Sequence, residues 1–567
     1  MGLLNKMIIA LVNRKVAGDG RKVRARLERM TLAPMKAQED FLMGLLRDNK
    51  DTEFGRKYDF ASIHSIEEYR RLVPVSSYDD YAEAIYRMVE KGEKNLLTAY
   101  PVNHYSKSSG TMGNPKRIPF SDRAAGLTSD YVQSYMYALL EERGLLGLDP
   151  SLTLVESILT TLPNGATCGA YSAKESVNNQ FFISRLFTPP FEVMTPKGNM
   201  NSRHLHAFYA LKERNLSSGL SGFYSYFLEV IRYIEKNWES LADDIERGTI
   251  DESVQMPDEL RHHLLTRLHP DPKRADEIRS VFRNPSDKPL VPRLWPRFRY
   301  LLGIGTAGFS AYTEKLKGYF GPGVHFAMYG VIASEGVFSA PVRLDSGESV
   351  LLPNSVFYEF LPVESSDYAD LVTLDKLEVG KNYEVVVTNT SGFYRYKMRD
   401  VVHVVGRHNE TPTIEFLFRA DQTVNLVGEK TTEYALREVA KQTAERCGFE
   451  MLDYCMYPNT DAEPVRYDFL IEPAHHLPDD FDYAHARDVL DECLSKANPS
   501  MGDKLSKGIV GKSRLYFLQE ETTLLYRDMM IMKGVSAVQL KPVRVIDNLL
   551  KKNFFYALID KRFAKPE

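Results

Sequence analysis

Segments with helical spacing of apolar residues alternate with short β-rich segments along this chain, and this alternation limits the possible fold most strongly. The spacing predicts mostly helices over residues 35–95 and again over residues 203–283. Valine, tyrosine, phenylalanine and threonine dominate the intervening runs SLTLVES, VHFAMYG, SVFYEFLPV and NYEVVVTNTSGFYRY, which is typical of strands. We therefore predict an α/β fold in which helices cover the faces of β-sheets.

The pattern restarts after about Asn425, which suggests a second domain. The segment EKTTEYALREVAKQTAERC opens with threonine and glutamate and then has helical spacing. Strand-like and helical pieces follow it to residue 567. We predict a large, multi-layer N-terminal domain over residues 1–425 and a smaller α/β C-terminal domain over residues 430–567.

The charge balance argues against a nucleic acid partner, and the spacing of the cysteines argues against a cysteine-based metal site. Seventy-two lysines and arginines against 76 aspartates and glutamates leave a net charge of −4, without the basic excess that holds a nucleic acid backbone. The four cysteines form no CxxC pair, so we expect free thiols, a reducing compartment and no cysteine-based metal site. Those cysteines are Cys168, Cys447, Cys455 and Cys493.

The N-terminal segment MGLLNKMIIALVNRKVAG contains a short apolar run, Met7 to Val12, flanked by Lys6 and Arg14. This run is too short for a signal peptide and lacks a small-residue cleavage site. A helix packed on the core is favoured, and a peripheral membrane helix is the alternative. No run in the chain approaches the ~20 apolar residues of a membrane span, so we expect a cytoplasmic protein without integral membrane association.

The stretch HYSKSSGTMGNPKRIPF, residues 104–120, is the strongest candidate for binding an anion. Backbone N–H groups and hydroxyls of a loop rich in serine, glycine and threonine can converge on a phosphate, and Lys116 and Arg117 add positive charge. A solvated surface turn is the plainer interpretation of this loop by itself. The sequence has no GxxxxGK[ST] motif, which disfavours a P-loop kinase.

The segment GIGTAG, residues 303–308, matches the spacing of a dinucleotide-binding motif. That motif also needs an acidic residue about 20 positions later at a strand end, and the chain has no carboxylate there before Glu335. We therefore interpret GIGTAG as a tight turn from a strand into a helix that lines a pocket.

Two carboxylates follow or interrupt β-rich runs. Glu335 in YGVIASEG suits Mg²⁺ coordination, and Asp400 in GFYRYKMRDVVHVVG suits the two hydroxyls of a ribose. Alternatively, Glu335 starts a helix, or Asp400 merely pairs with Arg395 or Arg399.

The Ser108–Thr111 loop, Ser334-Glu335 and the Tyr394–Asp400 segment together resemble the Gretchen Hagen (auxin-responsive promoter) family of acyl acid amido synthetases, within the firefly luciferase-like adenylate-forming superfamily. The resemblance extends over nearly the whole chain through TEFGRKYDF, RRLVPVSSYDDY, NWESLADDIERG, GTAGFSAYTEKLKGYFG, EKTTE and GVSAVQLKPVR. The chain departs from the family pattern at Met112, Val331 and Arg399, where serine, tyrosine and glycine are usual.

This resemblance implies a mobile C-terminal domain and a ligase that uses ATP and Mg²⁺ to adenylate a carboxylic acid, and then transfers the acyl group to an amine, typically of an amino acid. It implies a nucleotide site formed by Ser108, Ser109, Gly110, Thr111, Gly113, Lys116, Ser334, Glu335, Asp400 and Lys430. It also implies that Glu335 holds the metal and that Lys541 acts at the α-phosphate. A solvated surface charge is the plainer interpretation of both Lys430 and Lys541.

Two other functions remain open at this point. An enzyme of the same fold could transfer the acyl group to a thiol such as coenzyme A, and a non-catalytic nucleotide-binding protein could retain the fold. The nucleophile that discharges the adenylate distinguishes the first alternative. The intact loop, Glu335, Asp400 and Lys541 argue against the second.

Overall fold

The computed structural model describes residues 3–107, 116–196, 200–284, 286–306, 310–420, 424, 426–427, 429, 431–535, 537 and 540–563. The chain divides into two compact units. The first contains Met1–Met398 and Val402–Phe416, and the second contains Arg399–Val401 and Leu417–Glu567.

Helices make up much of the first unit. In chain order they are α1 (Leu3–Thr31), α2 (Pro34–Asn49), α3 (Glu53–Lys57), α4 (Ile66–Leu72), α5 (Ala82–Glu90), α6 (Asp122–Thr128), α7 (Tyr135–Glu142), α8 (Tyr171–Asn178), α9 (Gln180–Leu186), α10 (Phe191–Met194), α11 (Ser202–Lys212), α12 (Tyr224–Arg247), α13 (Asp258–Leu265), α14 (Pro272–Arg283), α15 (Leu290–Leu294) and α16 (Ser310–Phe320). The helices predicted over residues 35–95 are present as α2 to α5.

The strands through the hairpin that ends the first unit are β1 (Val102–Lys107), β2 (Arg117–Ser121), β3 (Ser151–Thr153), β4 (Leu159–Thr161), β5 (Thr167–Gly169), β6 (Phe187–Thr188), β7 (Ser218–Phe223), β8 (Tyr300–Ile304), β9 (His325–Met328), β10 (Ile332–Ala333), β11 (Gly336–Val337), β12 (Ser339–Pro341), β13 (Ser349–Leu351), β14 (Phe357–Pro362), β15 (Asn382–Thr388), β16 (Tyr396–His408) and β17 (Thr411–Arg419). Among the described residues they form sheets in the orders β2-β1-β5-β4, β6-β3-β7-β8-β9, β10-β11 and β12-β13-β17-β16-β15-β14.

The five-stranded sheet is parallel and explains the GIGTAG segment. Strand β8 ends at Ile304 and α16 begins at Ser310, so the predicted strand before this segment and helix after it are confirmed. Residues 307–309 lie outside the described part, and the tight turn that lines a pocket stays a prediction. A Cβ atom at Gly305 would lie 2.3 Å from the ring of Tyr224. Glycine is therefore required there by close packing against the first residue of α12.

One strand lies within a region that the sequence predicted to be helical. The region over residues 203–283 is helix-rich as predicted, but Ser218–Phe223 within it forms strand β7. A Cβ at Gly219 would lie 2.5 Å from the ring of Phe227, so this strand lies directly against α12. The short strand between two long helices has too few residues to show a period of its own.

The N-terminal helix α1 packs on the first unit. Its residues Ile9, Ala17, Val23 and Leu27 are buried, which supports the core-packing interpretation for this face. Its other face carries exposed apolar residues, including Leu4 and Leu11. No helix within the described ranges is long and apolar enough to cross a membrane.

The second unit is a smaller α/β structure. Its sheet has the order β18 (Met451–Asn459), β19 (Arg466–Pro473) and β20 (Arg514–Phe517), with β18 and β19 antiparallel and β19 and β20 parallel. Its helices are α17 (Glu433–Arg446), α18 (Tyr483–Ala497), α19 (Pro499–Ser506), α20 (Thr522–Met532) and α21 (Leu549–Ala557). The helix predicted in EKTTEYALREVAKQTAERC is α17, whose N-cap Thr432 accepts a hydrogen bond from the Ala435 N–H.

All four cysteines are free thiols, as predicted. Cys168, Cys455 and Cys493 are buried, and Cys447 is half-buried. The fold is therefore held together by packing and hydrogen bonding without disulfides.

A buried ion pair joins two segments of the first unit, strand β14 and the residues before β16. The guanidinium of Arg395 donates two hydrogen bonds of 2.8 Å to the carboxylate of Glu359 on β14. The remaining nitrogen of Arg395 donates to the carbonyls of Arg70 (2.6 Å) and Val73 (2.8 Å), at the end of α4. The side chains of Glu359 and Arg395 are 1% and 7% exposed, so this two-pronged pair is almost completely shielded from water.

We predict that Glu359→Gln lowers the free energy of unfolding of the first unit by about 3 to 5 kcal/mol, because it leaves the buried Arg395 cation without its carboxylate. The measurement is urea unfolding of the purified wild-type and variant chains. Glu378→Gln is the matched control, since Glu378 forms a largely exposed pair with Lys381, which contributes little to stability. Equal changes in the free energy of unfolding of the two variants would show that the Glu359–Arg395 pair stabilises the fold no more than an exposed pair does.

Candidate nucleotide-binding site

Several predicted site residues lie outside the described part of the structure: Ser108, Ser109, Gly110, Thr111, Gly113 and Lys430. The strands on either side of the loop are described. Strand β1 ends at Lys107, β2 begins at Arg117, and these two residues are opposite each other in an antiparallel pair. Lys116 is exposed, and its Nζ atom lies 5.2 Å from the centre of the Tyr78 ring.

Ser334 and Glu335 form the turn of a β-hairpin. Strands β10 and β11 pair antiparallel with Ala333 opposite Gly336, which leaves the two residues at the tip. Both are half-buried. Glu335 therefore does not start a helix, and its position at a strand end agrees with the prediction from the sequence.

The hairpin tip is connected to the loop that follows β15. The side-chain amide of Asn389 donates a 2.9 Å hydrogen bond to the backbone carbonyl of Glu335. The side-chain oxygen of Asn389 accepts hydrogen bonds from the N–H groups of Ser391 (3.0 Å) and Phe393 (3.1 Å). Asn389 is 2% exposed and so acts as a buried bridge between two loops.

The segment GFYRY is fixed by hydrogen bonds to its backbone and rings. The hydroxyl of Tyr81 accepts from the Tyr394 N–H and donates to the Tyr394 carbonyl, both at 2.9 Å. The hydroxyl of Tyr394 donates to the carbonyl of Leu97 at 2.9 Å. Burial raises the pKa of both tyrosines well above the usual value, so both remain neutral hydrogen-bond donors.

Asp400 does not pair with Arg395, because Arg395 is committed to Glu359. The alternative explanation of Asp400 through Arg395 is therefore wrong. Asp400 instead lies near Arg419, with 3.4 Å between Asp400 Oδ1 and Arg419 Nε. The Asp400 side chain is 12% exposed and that of Arg419 is 35% exposed, so the pair is reachable from solvent mainly on the arginine side.

The register expected for the hairpin between β16 and β17 agrees with this pairing. The turn Asn409-Glu410 separates His408 from Thr411, and counting eight residues outward on each strand gives Asp400 and Arg419. Asn409 has a φ of 50°, the left-handed conformation that asparagine tolerates in tight turns. This count places Asp400 across from Arg419, in agreement with the 3.4 Å between Asp400 Oδ1 and Arg419 Nε.

Arg399 occupies the position where the resemblance expects glycine, and its φ is 63°. This left-handed conformation is the one that glycine adopts without steric penalty. A residue with a Cβ atom pays about 1 kcal/mol for it. This positive φ is a backbone reason for a glycine at this position, and Arg399 adopts it in spite of its Cβ atom.

Lys541 lies in the second unit, exposed, in an irregular segment between α20 and α21. Glu335 belongs to the first unit, whereas Asp400 and Lys541 belong to the second.

Within the described residues there is no cluster of three or more histidine, cysteine, aspartate or glutamate side chains that could hold a metal ion. A single carboxylate at a hairpin tip, such as Glu335, nevertheless fits Mg²⁺ bound to a nucleotide, because that ion takes one or two protein carboxylates and completes its shell with phosphate oxygens and water.

Sequence reasoning missed Arg419 and Asn389, which contact two of the predicted site residues, Asp400 and Glu335. The signal for Arg419 was the Asn409-Glu410 turn, whose register could have been counted from the sequence. Asn389 gave no sequence signal, since its role depends on how two loops meet in space. Together, the carboxylate of Asp400 and the guanidinium of Arg419 can accept from and donate to neighbouring hydroxyl groups.

Three family models match this chain in order. The GH3 family N-terminal domain matches residues 23–325, the GH3 family central domain residues 349–419, and the GH3 family C-terminal domain residues 432–549. The central-domain match ends at Arg419, the last residue of β17.

Similar proteins are plant enzymes. The indole-3-acetic acid-amido synthetase GH3.8 of Oryza sativa subsp. indica is 30% identical over 476 residues, which cover 79% of this chain and 77% of that protein. The probable indole-3-acetic acid-amido synthetase GH3.1 of Arabidopsis thaliana is 26% identical over 552 residues, which cover 92% and 90%. The jasmonoyl–L-amino acid synthetase GH3.5 of Oryza sativa subsp. japonica is 27% identical over 551 residues, which cover 92% and 94%.

A solved structure of GH3.15 acyl acid amido synthetase matches with a TM-score of 0.81 at 22% identity, covering 95% of this chain and 96% of that one. This likeness shows that the two chains share a fold. It confirms the predicted α/β class, and the names of the relatives confirm the prediction of an acid–amino acid ligase at the level of the family. Because the N-terminal model alone spans more than half of its 567 residues, the chain belongs to the GH3 family, a family of acyl acid amido synthetases.

Proposed function

We propose that this chain joins a carboxylic acid to an amine, most simply the amino group of an amino acid, in two steps at one site. In the first step a carboxylate oxygen bonds to the α-phosphorus of ATP, and the bond to the β-phosphate breaks to release pyrophosphate. In the second step the amine nitrogen bonds to the acyl carbon, AMP leaves with the former carboxylate oxygen, and the amine loses a proton.

The observation that carries this proposal is the Asp400–Arg419 pair. A ribose presents two adjacent hydroxyls, each able to donate and to accept. Asp400 offers acceptors and Arg419 offers donors 3.4 Å away, on neighbouring strands of one hairpin. Fixing the ribose in this way would hold the α-phosphorus in line with the attacking carboxylate, which removes much of the entropic cost of the reaction.

In this proposal, residues of the first unit bind the phosphates of ATP. The loop Ser108–Gly113 and Lys116 would bind the β- and γ-phosphates through N–H groups, hydroxyls and one cation. Glu335, with Ser334 beside it, would hold Mg²⁺, which offsets charge on the departing pyrophosphate. The Asn389 bridge to the Glu335 carbonyl would keep this hairpin tip in place.

Two lysines, Lys430 and Lys541, also have roles in this proposal. We assign residues 1–425 to an adenylation domain and residues 430–567 to a mobile C-terminal domain, with Lys430 near the nucleotide at the junction. Lys541 would stabilise the charge that develops at the α-phosphate during adenylation. We further propose that the protein acts in the cytoplasm.

The nucleophile of the second step is an amine in this proposal. A 2-hydroxyisobutyryl-CoA ligase with bound 2-HIB-AMP shares the general fold, with a TM-score of 0.50 at 12% identity over 92% of this chain and 90% of that one. The plant relatives are named for amides of indole-3-acetic and jasmonic acids, which favours an amine. A thiol such as coenzyme A is the alternative.

A screen of carboxylic acids tests the proposal directly. The purified chain is incubated with ATP, Mg²⁺ and each acid, alone, with a mixture of amino acids, or with coenzyme A, and AMP and pyrophosphate are measured. Acid-dependent AMP release stimulated by amino acids supports an amido synthetase. Stimulation by coenzyme A alone would favour the thiol alternative, and no AMP with any acid would favour a non-catalytic nucleotide-binding protein.

Substitutions in the nucleotide site should separate ribose from phosphate binding. We predict that Asp400→Ala weakens ATP and AMP alike by roughly ten- to hundredfold, because ribose is common to both and a hydrogen bond to a charged group is worth about 1.5 to 3 kcal/mol. Ser109→Ala should weaken ATP more than AMP. Calorimetric titration measures both affinities, with Asp461→Ala, which removes an exposed carboxylate of the second unit, as the control. Equal effects of Ser109→Ala on the two nucleotides would refute the phosphate-loop assignment.

Lys541→Ala should slow adenylation by about 10² to 10³, since a positioned cation of this kind contributes about 3 to 4 kcal/mol at the transition state. Formation of amide from pre-formed acyl-adenylate should remain close to the wild-type rate. Single-turnover measurements of each half-reaction provide the comparison, and Lys507→Ala, another exposed lysine of the second unit, is the matched control. Loss confined to the amide-forming step would mean that Lys541 serves the second step instead.

A further inference from the structure

The segment that carries Lys541 is anchored to the sheet of the second unit by a buried arginine. We call residues 540–544, with the sequence LKPVR, the lysine strap. Lys541 is exposed near its start, and Arg544 is its last residue. The strap contains no helix or strand residues, so its position depends on what holds its ends.

The side chain of Arg544 makes three contacts with one strand. Its guanidinium donates to the carboxylate of Asp453 and, at 2.9 Å, to the carbonyl of Tyr454, both on β18. It also lies 4.7 Å from the centre of the Tyr454 ring. The side chains of Arg544 and Asp453 are each 9% exposed, so this is a largely buried pair rather than a surface contact.

The backbone next to Arg544 is attached to the same strand. The Met456 N–H donates to the carbonyl of Arg544 at 2.9 Å, and the Ile546 N–H donates to the carbonyl of Met456 at 2.8 Å. Val545 forms a parallel bridge with Met456. Ile546 is 1% exposed and packs with Cys455, so the chain enters the core immediately after the strap.

The backbone between Lys541 and the anchoring residue Arg544 has little conformational freedom. Only Pro542 and Val543 separate Lys541 from Arg544. The proline ring fixes its own φ and favours an extended conformation of the residue before it, which is Lys541. On the other side, the guanidinium of Arg527 in α20 donates to the carbonyl of Ala537. A displacement of Arg544 would therefore be transmitted to the Lys541 backbone.

The positive charge of Arg544 lies beside two neighbouring carboxyl groups of the sheet, those of Asp453 and Glu472. Asp453 is directly opposite Glu472 in the antiparallel pair of β18 and β19. Glu472 is completely buried, and burial raises the pKa of its carboxyl to about 7, opposed by hydrogen bonds from Thr523. Two carboxyl groups thus face each other in the sheet, and Arg544 supplies the cation that offsets Asp453.

We propose that Arg544 is a positioning residue for adenylation, which fixes the lysine strap to β18 through Asp453 so that Lys541 is presented at a defined place on the surface of the second unit. The proposal rests on the role assigned to Lys541 above. Arg544 does not touch the reacting atoms and acts only through Lys541.

A double-substitution experiment tests this mode of action in the full-length chain. Arg544→Gln should slow adenylation by roughly ten- to hundredfold, because small displacements of a catalytic group have effects of this size. The amide-forming step from added acyl-adenylate should remain unchanged. Arg544→Lys, which retains the cation but not the fork of donors, should fall between Arg544→Gln and wild type.

The decisive comparison introduces Lys541→Ala into the wild-type chain and into Arg544→Gln. If Arg544 acts through Lys541, the double variant should be no slower than Lys541→Ala, within about twofold. Multiplied effects of the two substitutions would overturn the proposal, because they would mean that Arg544 acts independently. Arg466→Gln is the matched control, since Arg466 pairs at 2.9 Å with the buried Asp468 on the neighbouring strand β19.

Hydrogen exchange gives a readout that needs no substrate. Backbone amides of residues 540–546 should exchange faster in Arg544→Gln than in wild type or Arg466→Gln. Unchanged exchange would overturn the anchoring role even if activity fell. If Lys541→Ala alone left adenylation unchanged, the assigned role of Lys541 would fail, and the positioning proposal would fail with it, whereas faster exchange would still report the anchor itself.

Discussion

The buried pair between Glu359 and Arg395 is the interaction on which the arrangement of the first unit depends. It joins α4, β14 and the connection between β15 and β16, because Arg395 binds the Glu359 carboxylate and two carbonyls at the end of α4. Arg395 has a φ of 49°, so the backbone turns sharply where the side chain is held. Strand β16, which carries Asp400, begins at the next residue, so this pair fixes the start of that strand.

The sequence predicted many of the helices and strands, but few of the side-chain contacts between them. Helical spacing identified α17 and the alternation of helices and strands, because amphipathic segments of this length show their period. Glu359 could not be recognised as a buried anion, since nothing in FYEFLP shows that its carboxylate meets an arginine 36 residues later. The partner of Asp400 was within reach, because the two-residue turn at Asn409 sets the register that brings Arg419 opposite.

Three proposed functional residues, Glu335, Asp400 and Lys541, are each held in place by a different kind of contact. Glu335 is supported by hydrogen bonding from a buried asparagine, Asp400 by a cross-strand arginine, and Lys541 by a strap attached to a strand. In each case a neighbouring buried or half-buried group holds the backbone or the charge of the proposed functional residue. The residues that contact substrate are thus only part of what the sequence must specify.

Transfer of oxygen from the acid to AMP tests the central claim most directly. With a carboxylic acid labelled with ¹⁸O in its carboxylate, amide formation through an acyl-adenylate must place one labelled oxygen in the phosphate of AMP, because the bond broken in the second step lies between the acyl carbon and that oxygen. Mass spectrometry of the AMP and of the released phosphates reads the outcome. The proposed mechanism predicts label in AMP and none in pyrophosphate. Label in inorganic phosphate, or AMP without label, would contradict it.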